Sequence, residues 1–175
     1  WHSRDFPIAG NSAQTNADNQ VRIGNSSVTS IGGFANWTNV SDKRFKKDIN
    51  KNVHGLEFIL KLEPVTYHLD MNSIAEYLNT PDSLRLKESE AVKGSMLQSG
   101  FIAQDVEKAA NDIGFDFSGI DKPKNEKDFY GLRYSEFTVP LVKGMQEQQK
   151  MIDNLKTQNE NLQKQIDELK TLINK

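Results

Sequence analysis

Residues 141–173 read LVKGMQEQQKMIDNLKTQNENLQKQIDELKTLI, and their periodicity decides how the chain is built. Apolar or amide side chains recur at Leu141, Met145, Gln148, Ile152, Leu155, Asn159, Leu162, Ile166, Leu169 and Ile173, in steps that alternate four and three. This is a heptad seam, with Met145, Ile152, Asn159, Ile166 and Ile173 at a and Leu141, Gln148, Leu155, Leu162 and Leu169 at d. A helix packed only on its own domain has no reason to keep a 3.5-residue period over so many heptads; a supercoil does. The helix expected over 141–175 therefore needs partners. β-branched residues at a, leucine at d and Asn159 at an a position favour two strands. Met151 and Leu172 at g and Val142 at e widen the apolar stripe beyond a dimer seam. The heptads leave dimer and trimer level. Asn159 and Gln148 pair with their own copies only in a parallel register, which is the orientation expected.

Upstream of the seam the composition changes twice. Residues 1–40 are rich in Asn, Ser, Thr and Gly and carry few charges: Arg4, Asp5, Asp18 and Arg22. Val21-Arg22-Ile23 and Ser27-Val28-Thr29-Ser30-Ile31 have strand propensity, with turns predicted at Gly24-Asn25 and Gly32-Gly33. So few large apolar residues cannot build a core. Residues 1–40 read as the end of an upstream β-rich stalk that buries its apolar side against other chains. Residues 41–140 hold most aromatic and aliphatic residues and read as the globular domain. There, Leu56, Ile59 and Leu60 predict a short helix ended by Pro64, and Val65, Tyr67 and Leu69 a half-buried strand. Residues 72–99 read as a loop-rich excursion with one hairpin. A helix follows Gly100-Phe101-Ile102, residues 111–127 read as loop, and Tyr130, Leu132 and Tyr134 alternate as a closing strand. The fold class expected is α+β: a small mixed domain, a short β-rich stalk before it and a long coiled-coil helix after it.

The totals exclude several functions. The 175 residues include 22 Lys+Arg against 24 Asp+Glu, a formal charge of −2, where a dedicated nucleic-acid binder would carry a basic excess. Hydrophobic residues make up 36%, with 11 glycines, below the ~45–50% of an average domain, so part of the chain is expected outside a compact core. No apolar run reaches the ~18 residues of a membrane-spanning helix. With 0 cysteines there is no disulfide, thiolate metal site or cysteine nucleophile. The chain starts at Trp1 with no charged-then-apolar leader, and reads as the C-terminal piece of a longer protein whose export signal lies elsewhere. His2, His54 and His68 are scattered without ligand-like spacing, and no phosphate loop or nucleophile elbow occurs. Neither metal nor cofactor is expected.

One boundary stands out. Asn39-Val40-Ser41-Asp42-Lys43-Arg44-Phe45-Lys46-Lys47-Asp48-Ile49 joins the polar stalk to the globular domain. By itself it reads as a solvated basic patch, with Asp42 and Asp48 offsetting Lys43, Arg44, Lys46 and Lys47. A serine five residues before a lysine is common in a lysine-rich chain.

The block Ser41 to Ile49, however, resembles the opening of the endosialidase-type intramolecular chaperone auto-processing domain found at the C-terminus of phage tail spikes and fibres. That domain also occurs in bacterial surface proteins and in myelin regulatory factor-like transcription factors. Gly55-Leu56, Leu62-Glu63-Pro64-Val65-Thr66-Tyr67 and Gly100-Phe101-Ile102-Ala103-Gln104-Asp105-Val106 continue the resemblance. Tyr134, Pro140-Leu141 and Glu147-Gln148 extend it, so that it covers about residues 37–155. Gly144-Met145 stands where the family more often has alanine and isoleucine, and Phe45 where leucine is common. The resemblance implies a homotrimer that assists folding of an upstream fibre of the same polypeptide and then releases itself. It makes Ser41 the nucleophile, Lys46 its base and Val40–Ser41 the bond cut, in a virion tail fibre or at a bacterial surface. It also decides the trimer. A free lysine with pKa ~10.4 is only about one part in 2,500 neutral at pH 7, so burial in the trimer and the like charges of Lys43, Arg44 and Lys47 are expected to activate Lys46. The alternative is the same trimer as a cap that never cuts, with Ser41 a turn residue. A DNA-binding regulator fits poorly, because residues 1–40 are neither basic nor helical in pattern.

Overall fold

A computed structural model describes Thr15 and residues 17–174. The chain forms two compact units, each assembled from three separate stretches. One unit takes the residues up to Ile49, Glu63–Gln104 and Ile120–Leu132; the other takes Asn50–Leu62, Asp105–Gly119 and Arg133–Lys175. The mixture of helices with small antiparallel sheets makes this the α+β class expected.

In the first unit, β1 (Val65–Tyr67) pairs antiparallel with β2 (Gln98–Gly100), Thr66 opposite Ser99. The chain between them was expected to be loop and hairpin. It is helical: α2 (Met71–Tyr77), a 3-10 turn at Asp82–Leu84, and α3 (Lys87–Ser95). The signals overlooked are ordinary ones. Asp70 caps α2, accepting from the backbone N–H of Asn72 and Ser73 at 3.0 Å each and from Ser73 Oγ at 2.7 Å. Met71, Ile74, Ala75 and Leu78 follow helical spacing, with Met71 and Ala75 buried. Arg85 links the two helices, donating to the buried Glu90 carboxylate at 2.6 Å and to Asn72 Oδ1 at 2.8 Å. Pro81 therefore separates two helices and does not mark an open loop.

β3 (Ile120–Asp121) pairs antiparallel with β4 (Gly131–Leu132) and lies inside a stretch expected to be loop. The closing strand is correspondingly shorter than the alternation suggested. Tyr134 starts a 3-10 turn, Tyr134–Phe137, because Arg133 turns the chain: its N–H donates to Gly119 O at 2.8 Å and Nη1 to Ser118 O at 2.7 Å. Among the described residues, the strands expected at 21–23 and 27–31 are absent. Only Ile23 makes an isolated bridge, and Asn25 turns the chain by accepting from Val28 N–H at 3.2 Å. Strand propensity without a paired edge does not make a strand.

The second unit is organised around Phe58, which is 0% exposed. Its ring meets Phe117 at 4.9 Å, Phe115 edge-on at 5.2 Å and Phe137 at 6.5 Å, and Phe117 packs edge-on against Phe137 at 4.8 Å. Phe58 sits on α1 (Leu56–Ile59), the short helix expected, yet the buried residue is not one of those that predicted it; Leu60 is 74% exposed. α4 (Ala103–Asn111) buries Val106, Ala109 and Ala110. α5 runs from Thr138 to Ile173, 36 residues or about 54 Å. Pro140 falls in its first turn, where no backbone hydrogen bond is lost.

α1 meets α5 through glycines. A Cβ on Gly55 would lie 2.7 Å from Gly144 N, and one on Gly144 would lie 3.3 Å from Leu56 N. Gly144 therefore falls at a point of close backbone approach. Glu147 Oε2 accepts from Leu56 N–H at 2.8 Å, and Lys143 flanks it at 3.2 Å. The Leu56 N–H foremost, and then Lys143, hold the Glu147 carboxyl below the usual glutamate range. Past Glu147, α5 is exposed along its length, including Ile152, Leu155, Leu162, Ile166 and Leu169.

Two substitutions test this core by urea unfolding. Phe58→Ala is expected to cost about 3–5 kcal/mol. Gly55→Ala is expected to cost about 1–3 kcal/mol, against less than about 0.5 kcal/mol for Gly33→Ala, since no atom lies within 4 Å of a Cβ at Gly33.

Candidate functional site

The candidate site begins where the exposed chain of residues 29–41 enters a 3-10 turn, Lys43–Phe45. Asp42 is its N-cap. The Asp42 carboxylate accepts from Arg44 N–H at 2.8 Å and from the Arg44 guanidinium, Nε at 3.0 Å and Nη2 at 2.6 Å. Backbone bonds close the turn, Phe45 N–H to Asp42 O and Lys46 N–H to Lys43 O, both at 3.1 Å. The side-chain hydrogen bonds from Arg44, and next its backbone N–H, hold the Asp42 carboxyl below its ordinary value, while Asp42 raises Arg44.

The turn folds Lys46 back over the residue before its cap. Lys46 Nζ donates to Ser41 Oγ at 2.7 Å. The two residues singled out in sequence as nucleophile and base are thus in direct contact. Both are exposed, as are Lys43, Arg44 and Lys47 around them, and Val40 immediately before Ser41 is 85% exposed. As it stands Nζ is the donor; base catalysis needs the reverse, with Oγ donating to a neutral amine. The arrangement puts a hydroxyl and an amine in reach of each other, with nothing in the single chain to remove water from them.

The histidines behave as ordinary residues where they are described. His54 packs its ring on Phe115 at 5.0 Å with Nδ1 3.5 Å from Glu57, and His68 is exposed; His2 lies outside the described residues. Among those residues no group of three or more His, Asp or Glu could hold a metal ion, and no helix is long and apolar enough to cross a membrane. Sequence reading treated Asp42 as charge compensation and missed its role as cap. The signal was available: an aspartate directly before a short turn, with a donor two residues on.

Comparison with known proteins defines the class of the domain. Residues 41–115 match the family Peptidase S74, described as chaperone of endosialidase, which supports an endosialidase-type chaperone domain over this part of the chain. The match takes in the Ser41–Ile49 block, Gly55–Tyr67 and Gly100–Val106, and stops short of Tyr134, Pro140 and α5. No curated protein and no solved structure matches the chain.

The Asp42 clamp has a pH signature. Because the folded carboxyl lies below the ordinary 3.8, the clamp is fully present above that pH and is lost as pH falls through the lowered value. A carboxyl-carbon NMR titration is expected to give Asp42 a midpoint below 3.8, and Arg44→Gln to move it back up. An unshifted midpoint in the native chain would mean that Arg44 does not hold Asp42 in solution.

Proposed function

We propose that this chain is an intramolecular chaperone that trimerises through α5, assists folding of the β-rich chain before it, and frees itself by cutting between Val40 and Ser41. The observation that carries the self-cutting reading is the 2.7 Å contact of Lys46 Nζ with Ser41 Oγ. It falls at the first residue of the matched segment, where a release point would be needed.

The chemistry is intramolecular. A neutral Lys46 amine takes the Ser41 Oγ proton as Oγ attacks the Val40 carbonyl carbon, next to it in the chain. The Ser41 nitrogen leaves, accepting the proton from Lys46, and an ester joins Val40 to Ser41 Oγ. Water then hydrolyses the ester, giving a Val40 carboxylate and a new N-terminus at Ser41. Proximity supplies much of the rate, since nucleophile and carbonyl share one backbone. The missing component is the neutral amine. Docking of three chains would desolvate the exposed turn, and burial together with Lys43, Arg44 and Lys47 lowers a lysine's pKa, by up to ~3–5 units when complete. Assembly thereby gates the cut. Proposed as partners are two further copies and the upstream fibre of the same polypeptide; the proposed setting is a phage tail fibre or spike, or a bacterial surface.

A second reading keeps the trimer without the cut. It draws on the exposure of both dyad groups and on the turn's stability without any role for Ser41. Variants separate the two. Ser41→Ala is expected to assemble and stay full length, and Lys46→Ala to cut about 10²–10⁴-fold more slowly than the native chain, followed by gel and intact mass. Native-rate cutting in Lys46→Ala would remove the base role. Leu155→Asn combined with Leu162→Asn is expected to give monomers that do not cut. Monomers cutting at the full rate would show that assembly does not gate the reaction.

A further inference from the structure

Outside the dyad, the most unusual buried group is Asp128, in the loop between β3 and β4. It is 4% exposed and carries a carboxylate that no step above uses. Two of its donors come from its own loop, Lys124 N–H at 3.2 Å and Phe129 N–H at 3.1 Å. The loop is further fixed by Tyr77, whose hydroxyl donates to Asp128 O at 2.8 Å. The other two donors lie more than a hundred residues away and upstream of Ser41: Gln20 Nε2 at 3.1 Å and Arg22 Nη2 at 3.4 Å. The Arg22 guanidinium also stands over the Phe129 ring, 4.9 Å from its centroid.

The alternation of this upstream segment matters as much as the contacts. Gln20 and Arg22 turn inward to Asp128, whereas Val21 is 61% exposed and Ile23 40% exposed. An extended segment places successive side chains on opposite faces. Here the polar face is bound and the apolar face is free.

We infer that Asp128 is the client-holding site of the chaperone: it grips the polar face of the segment around Gln20-Val21-Arg22 and leaves Val21 and Ile23 presented for pairing between chains. The inference rests on the chaperone reading above and adds the contact by which the upstream chain is held. The grip does not depend on the Val40–Ser41 bond. Once the backbone is severed, departure of the upstream piece would strip a buried carboxylate of its only charged partner among these four donors, which strongly opposes release. The cut removes the covalent link, and release of the freed fibre then waits on loss of this grip.

The test supplies the cut from outside, so that it reads the grip whether or not the chain cuts itself. A site-specific protease sequence is inserted between Gly32 and Gly33, where a Cβ would meet nothing within 4 Å, in the full chain carrying Ser41→Ala. After digestion, size-exclusion chromatography with intact mass follows the upstream piece. It is expected to co-elute with the rest of the protein at physiological salt, and to be lost, or released at least tenfold faster, with Asp128→Asn or Arg22→Gln. Arg22→Gln alters only the upstream side, so it remains informative if Asp128→Asn disturbs the loop. Release of the piece from the otherwise native sequence as fast as from the variants would overturn the inference. So would equal retention in all three proteins.

Discussion

The geometry at Ser41 depends on one carboxylate. In extended chain, residues 41 and 46 would stand roughly 17 Å apart, at ~3.3 Å per residue. Asp42 prevents this by taking the Arg44 N–H and guanidinium together, which caps the Lys43–Phe45 turn and brings Lys46 Nζ to 2.7 Å from Ser41 Oγ. The clamp needs no tertiary support. It consists of neighbours in sequence, and it brings Ser41 and Lys46 together in a chain whose turn is still open to water. What such a turn lacks is desolvation, and on the proposed mechanism that is what assembly adds.

Elsewhere the chain covers some apolar groups completely and leaves others open. Phe58, Phe117, Phe137 and Pro140 are buried, and α1 is fixed to the start of α5 by the Gly55–Gly144 approach and the Glu147 cap. Beyond Glu147, α5 has no covering from its own chain. An isolated helix in water is held only weakly by its own backbone bonds, and each fully buried Leu or Ile contributes about 1.5–3 kcal/mol. The seam residues from Ile152 to Leu169 thus give a strong reason for several copies to associate. In the other unit, Val21 and Ile23 face outward while Gln20 and Arg22 are held. In each unit, separately, polar contacts organise the chain and apolar side chains remain exposed.

Much of this was legible in the sequence where one local rule was enough. The existence and length of α5 follow from its heptads, α1 from the Leu56 spacing and Pro64, and β1 from the Val65–Leu69 alternation, of which only Val65–Tyr67 is paired. Ser41 and Lys46 were selected through family resemblance, since a serine and a lysine five apart carry little signal alone; the turn that joins them shows why that spacing serves. What escaped depends on contacts between distant segments. Nothing near Phe58 announces that Phe115, Phe117 and Phe137 will surround it. Asp128 is one acid in a polar loop, and its partners Gln20 and Arg22 are over a hundred residues upstream. α2 is a different case: Asp70 and the Met71 spacing carry its signal locally, while Pro81, Gly94 and the polar composition of 72–99 point to loop. The strands expected at 21–31 failed because propensity cannot supply a paired edge.

The most direct measurement is N-terminal sequencing of material accumulated by the assembled native protein at neutral pH over time. The account predicts a single new terminus reading Ser-Asp-Lys-Arg, appearing only in the oligomeric fraction. A terminus at another position, or an assembled chain that stays intact indefinitely, would contradict it.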